Sequence, residues 1–318
     1  MLKSCRPDFG GNRVNVVQIG LGTNSTFVQN LVGPKDDWCP NVAWLLETAS
    51  ECSPKKFTGI GVEPVPEHAQ AMADVSIAAP NVVIVQVALG PTAENVVQIH
   101  ALTKTVCNDM LQHVLPCLQA QFLDDLVFLR NMSCVGKEHP DWQQWRQWLQ
   151  DQYNVAVDLE RVPATVWTYD RLACELNFLG CEVLIIDAEG SDTGILRSMV
   201  EHGRKEARQG RNAWPYVIQF ETMGHCDNLE GTNAEWDVIA LLESEGYTLV
   251  AYSHYNSQLV HEKAWEIPRI ESWANMFQCV CCKIRWTYPF IHMPNGKGYW
   301  PHTCCRRCLY HVAAPWTY

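Results

Sequence analysis

The chain has 318 residues, 47% of them apolar and 19% charged, enough for one large α/β domain or a domain with a small appendage. Its 24 basic and 35 acidic residues leave a net charge of −11, and without a basic block no nucleic-acid partner is expected. No apolar run is long enough to span a bilayer and Met1 to Pro7 lacks a secretory core, so no membrane association and a cytoplasmic location are expected. The 15 cysteines are scattered along the chain, which favours free thiols and a metal site over a disulfide framework.

In chain order, Val14 to Ile19 is a β-branched run that enters Gly20-Leu21-Gly22, followed by Asn24 and Ser25. That pattern predicts a buried strand, a tight glycine turn and a capped helix, the usual entry to a nucleotide-type site. Asn41 opens a second helix through Cys52, with Val42, Leu45, Leu46 and Ala49 on one face. Phe57 to Val62 is the next strand, and an alanine-rich helix leads to a third strand over Asn81 to Gly90. Strands alternating with helices predict a parallel sheet.

From about 91 to 165 the alternation breaks. Asn95 to Ala101 reads as a strand, Asp109 to Leu129 has helical spacing, and Trp142, Trp145 and Leu149 form a stripe on one helix face expected to pack an insert's core, with substrate stacking as the less favoured alternative. The alternation resumes with a short strand at Val166 to Thr168 and a helix opened by Tyr169. A buried strand over Glu182 to Asp187 and a helix through Met199 follow. Tyr216 to Glu221, a helix over Glu235 to Glu245, and a closing strand over Tyr247 to Tyr252 complete the pattern.

In an open parallel sheet, ligands bind beyond the carboxyl ends of the strands, where Gly20, Glu63, Leu89, Asp187 and Glu221 stand. A carboxylate at Glu63 can accept both hydroxyls of a ribose, or can be a solvated loop acid ahead of Pro64. At Leu184-Ile185-Ile186-Asp187-Ala188-Glu189-Gly190 the chain resembles the FkbM-like family of S-adenosylmethionine-dependent methyltransferases. Other blocks agree in order: Val17 to Gly22, Val62-Glu63-Pro64, Val87 to Gly90, Tyr169-Asp170-Arg171-Leu172, Gln219-Phe220-Glu221 and Leu242 to Tyr247. The resemblance covers roughly residues 14 to 255.

It implies an α/β chain with the Rossmann-like class I methyltransferase fold, a seven-stranded, mostly parallel sheet whose last strand is antiparallel. The expected organisation is a methyltransferase domain over 1–255 with a helical insert at about 91–165, then a small Cys- and Trp-rich extension over 256–318. The implied activity is methyl transfer from S-adenosylmethionine to a hydroxyl of a small-molecule or glycan acceptor. The cofactor is expected against Gly20, Gly22, Asn24, Ser25, Glu63, Ala88 and Leu89. Asp187 and Glu189 are candidates for base or metal ligand, Asp187 alternatively orienting the cofactor, and His225 is a candidate proton relay. Two departures stand out: Ile185 replaces a lysine often found before Ile-Asp, and Gln18-Ile19-Gly20 replaces Asp-Val-Gly. A catalytically silent scaffold is the alternative from another class. An NAD(P)-dependent oxidoreductase has less support, since no Tyr-x-x-x-Lys dyad is found.

Near the C-terminus, Cys279-Val280-Cys281-Cys282 and Cys305-Arg306-Arg307-Cys308 form two C-x2-C pairs. Four thiolates from Cys279, Cys282, Cys305 and Cys308 suit one structural zinc ion.

Overall fold

The computed structural model describes residues 14–22, 57–76, 82–136, 138–139, 141–252 and 256–263. The helices expected after the glycine turn and at 41–52, the positions of Asn24 and Ser25, and the zinc quartet Cys279, Cys282, Cys305 and Cys308 lie outside the described residues.

The described chain begins with β1 (Val14–Ile19), β2 (Phe57–Val62), α1 (Pro66–Ser76) and β3 (Val82–Val85). The insert region carries β4 (Ala88–Leu89), β5 (Glu94–Ala101), α2 (Lys104–Leu111), α3 (Gln119–Leu129), β6 (Cys134–Val135), α4 (Trp142–Tyr153) and β7 (Glu160–Trp167). Then follow α5 (Tyr169–Leu176), β8 (Val183–Ile186), α6 (Asp192–Ala207), β9 (Val217–Glu221), α7 (His225–Glu230), α8 (Ala234–Ser244), β10 (Tyr247–Tyr252) and β11 (Asn256–His261).

Seven strands form the main sheet in the order β3-β2-β1-β8-β9-β11-β10. β3, β2, β1, β8 and β9 are mutually parallel, while β11 runs antiparallel to both neighbours. Wedged between β9 and the edge strand β10 of an otherwise parallel sheet, β11 gives the arrangement of the Rossmann-like class I methyltransferase fold. The strands are short and apolar because both faces are covered. On one face Val17, Ile19, Leu184, Ile186 and Phe220 pack with Leu172, Leu196, Met199, Val238 and Leu242 of the flanking helices. On the other, Val16, Val183, Ile185 and Val217 form a smaller cluster that includes Met72 of α1.

The strand expected over Asn81 to Gly90 is two strands in two sheets. β3 closes the main sheet, whereas Ala88 and Leu89 pair in parallel with Val166 and Trp167 of β7. A second, four-stranded sheet of order β4-β7-β5-β6 results. The short strand read at Val166 to Thr168 is the end of eight-residue β7, so the insert is mixed rather than helical. The helical span Asp109 to Leu129 is broken between α2 and α3, where Pro116 starts a single 3-10 turn. Trp142 and Leu149 are buried in the insert's own core with Phe122, Leu126 and Tyr153, and Trp145 packs on its edge, as the stripe predicted. β11, which the periodicity did not reveal, lies beyond residue 255 yet sits inside the main sheet.

Candidate functional site

The order of strands reverses between β1 and β8, and the turns that follow them meet there. Gly20 has φ +80°, and a Cβ built on it would lie 1.7 Å from the Asp187 carbonyl oxygen. Its amide donates to Val62 O at 2.9 Å, while the Asp187 amide donates to Ile19 O at 2.9 Å. Gly20 is therefore required first by the approach of two strand ends, not by a ligand. Gly22, at φ +57°, faces Asn131, whose Oδ1 would stand 2.6 Å from an added Cβ.

Glu63 is buried, 3% exposed, and its carboxylate braces the glycine turn. Oε2 accepts from the amides of Leu21 at 3.0 Å and Gly22 at 2.9 Å, and Oε1 from Val65 at 2.9 Å. The solvated-acid alternative is thereby replaced by a structural one. Three backbone donors leave one Oε1 lone pair for a further partner, and His68 Nδ1 stands 3.7 Å from that oxygen.

A cleft of about 470 Å³, counting solvent at its mouth, opens over these ends; Gly22, Glu63, Ala88, Leu89, Asn131 and Asp187 help to line it. Of the residues expected at a cofactor site, Gly20, Gly22, Glu63, Ala88 and Leu89 meet there. His68, Asn131 and Ser133 line it too and were not anticipated. Ser133 Oγ and both ring nitrogens of His68 are buried without a hydrogen-bond partner, a polar demand that a ligand would meet.

Beside the cleft lies a charged cluster. Asp187 is exposed toward the cleft, Glu189 and Glu221 are half-buried, and Asp192 is buried. Glu189 holds φ +50°, unusual for a residue with a side chain and a form of strain concentrated at functional sites. His225 opens α7, with Nδ1 3.0 Å from Glu221 Oε2 and 3.5 Å from Glu189 Oε2. His139, from the insert, places Nε2 2.9 Å from Glu189 Oε2 and 3.3 Å from His225 Nδ1. Its Nδ1 accepts the Asp141 amide at 3.1 Å, so its proton resides on Nε2.

Among the described residues no lysine or arginine pairs with Asp187, Glu189, Asp192 or Glu221. The protonation of the cluster follows from that shortage. Desolvation by the walls of the cleft, opposed by His225 and helped by Glu63, pushes Asp187 up to about 6 although its side chain opens to the cleft. Burial and the neighbouring carboxyls raise Glu189 and Asp192 well above the usual carboxylate range. Burial also pushes Glu221 up to about 8, against the bond from His225. Desolvation works against the His225 cation, but Glu221, Glu189 and Asp141 outweigh it and hold the imidazole up to about 9. His139, desolvated and beside that cation, falls to about 4 and is neutral. The group thus shares one imidazolium among four carboxyls, some of which retain protons at neutral pH.

The three residues expected to do chemistry, Asp187, Glu189 and His225, are thus neighbours. His139 and Asp192 join them without a prior signal. His139 sits in a polar loop between elements, where no periodicity marks it; Asp192 reads as an ordinary helix-opening acid.

No family model matches the chain, and no curated protein does. The solved structures of distant similarity include the following two. The Methanococcus jannaschii fibrillarin pre-rRNA processing protein overlays with 7% identity and a TM-score of 0.32, covering 79% of this chain and 67% of that one. An O-methyltransferase from Bacillus cereus in complex with SAH overlays with 8% identity and a TM-score of 0.29, covering 78% and 74%. No described helix is long and apolar enough to cross a membrane.

Proposed function

We propose that the chain is an S-adenosylmethionine-dependent methyltransferase that methylates a hydroxyl of a small-molecule or carbohydrate-like acceptor. The observation that carries this reading is the position of the cleft: it opens at the reversal of strand order, over the glycine turn and Glu63, the place where such sheets take nucleotide-type ligands. The Ile186-Asp187-Ala188-Glu189-Gly190 segment supports the FkbM-like form of the reading.

The cofactor's adenosine would lie along Ala88 and Leu89 and its ribose would take the remaining lone pair of Glu63. Buried His68 and Ser133 would gain partners from the same ligand. Methyl transfer from a sulfonium is an in-line displacement, so holding donor and acceptor in line accounts for much of the acceleration. The acceptor hydroxyl must also lose a proton. Asp187 stands where β1 and β8 meet and, ionised near neutral pH, can receive it. In the metal-free chain His225 is held as a cation by its carboxylates, so it is not the base.

Asp187→Asn keeps the side-chain size and removes the charge. Transfer of a tritiated methyl group into fractionated small-molecule and glycan extracts should fall by ~100-fold or more, with a melting temperature within about 2 °C of the parent. Equal transfer by the variant would remove Asp187 from the chemistry. Absence of transfer by the parent into every fraction would favour a silent scaffold.

A further inference from the structure

We propose that Glu189, Glu221 and His225 bind a divalent first-row transition ion beside the cleft, with His139 and Asp141 orienting the ligands. Glu221 Oε2 and Glu189 Oε2 lie 3.0 and 3.5 Å from His225 Nδ1. Donor atoms that share an ion at bond lengths of ~2.0–2.2 Å stand ~2.9–3.5 Å apart, whether tetrahedral or octahedral. The candidate ligand atoms of Glu189, His225 and His139 lie within 4.8 Å of one another, and Glu221 joins them through its contact with His225 Nδ1.

The surrounding hydrogen bonds assign the remaining roles. The Asp141 amide donates to His139 Nδ1, so Nε2 carries a proton directed at Glu189 Oε2, 2.9 Å away. His139 therefore orients Glu189 as a donor instead of ligating. The outer nitrogen of His225 lies 3.6 Å from Asp141 Oδ2, longer than a hydrogen bond, so Asp141 closes by several tenths of an ångström when it supports a metal-bound imidazole. Two carboxylates and one imidazole suit Mn²⁺, Fe²⁺ or Zn²⁺ better than a soft ion. A divalent charge would also balance carboxyls that no described lysine or arginine reaches.

A second His–carboxylate group shows the contrast. His202 is already held by Leu179 O at 2.9 Å and Asp170 at 2.8 Å; Lys205 pairs with Asp170, and Arg211 with Glu206. That group is closed. At the proposed site three protein ligands leave positions open for water or an acceptor oxygen, and an ion there would lower the pKa of a bound hydroxyl. This use of the ion rests on the methyltransferase reading; the binding of the ion does not.

The test is titration of the metal-stripped full chain with Mn²⁺, read by electron paramagnetic resonance, without cofactor. Mn²⁺ is chosen because thiolates bind it poorly, so Cys279, Cys282, Cys305 and Cys308 do not compete. One ion per chain is expected. Glu189→Gln and His225→Ala should each weaken binding more than ~100-fold, whereas His139→Gln, which keeps a side-chain N–H, should stay within ~10-fold. Glu221→Gln serves where either ligand variant fails to fold. Binding no tighter than ~1 mM, or equal binding by folded ligand variants, overturns the site. S-adenosylhomocysteine binding, measured separately, reports on the cofactor reading alone.

Discussion

Replacing Gly20 with alanine lowers the melting temperature by roughly 5–15 °C, while the same change at Gly136 costs far less. Both glycines have positive φ, +80° and +74°, so alanine meets a left-handed penalty of ~1–2 kcal/mol at each. The difference is what the new methyl group meets. At Gly136 nothing lies within 4 Å; at Gly20 the Asp187 carbonyl oxygen would be 1.7 Å away. That oxygen is backbone, fixed by the pairing of β1 with β8, and cannot swing aside as a side-chain end could. Relief requires the sheet to part, and overpacking of this kind adds ~1–3 kcal/mol or more. The pair of variants, melted side by side, separates backbone strain from collision. Equal losses at the two positions would show that the strand ends do not approach as described.

The second large effect is expected at Glu63, and it falls on stability as well as on binding. A carboxylate that served only a ribose could be changed to glutamine with little effect on the free protein. Here it accepts three backbone amides, from Leu21, Gly22 and Val65, in a site that water hardly reaches. Glutamine has one acceptor oxygen, so its amide group must face either the paired donors of the turn or Val65. Each buried donor left unsatisfied costs ~1–3 kcal/mol. Glu63→Gln should therefore reduce stability by ~2–5 kcal/mol in chemical denaturation and loosen the turn under the cofactor. S-adenosylhomocysteine affinity should fall at least ~10-fold. A variant as stable as the parent but unable to bind would return Glu63 to a pure ligand contact.

Much of the main sheet was legible because its strands are buried on both faces, and β-branched runs such as Val14 to Ile19 and Val183 to Ile186 have few other uses. The glycine turn, Glu63 and the Asp187–Glu189 segment were legible for a related reason: they occupy strand ends, where parallel topology concentrates function. The insert was harder to read. Ala88 and Leu89 continue the apolar run of β3, and nothing local indicates that the chain changes sheets after Val85. β11 was hidden because Asn256 to His261 alternates weakly and its burial depends on partners from β9 and β10. His139 carries no local signal at all; the insert brings it to Glu189 and His225, a distance in sequence that no spacing rule spans.

The most direct measurement of the central claim is calorimetric titration of the folded, full-length chain with S-adenosylhomocysteine and, separately, with NAD. The cleft, as read from Gly22, Glu63, Ala88 and Leu89, predicts one S-adenosylhomocysteine site per chain, with a dissociation constant on the order of micromolar and no heat from NAD. Saturable binding of NAD, or no binding of S-adenosylhomocysteine up to ~1 mM by protein that melts cooperatively, would contradict it.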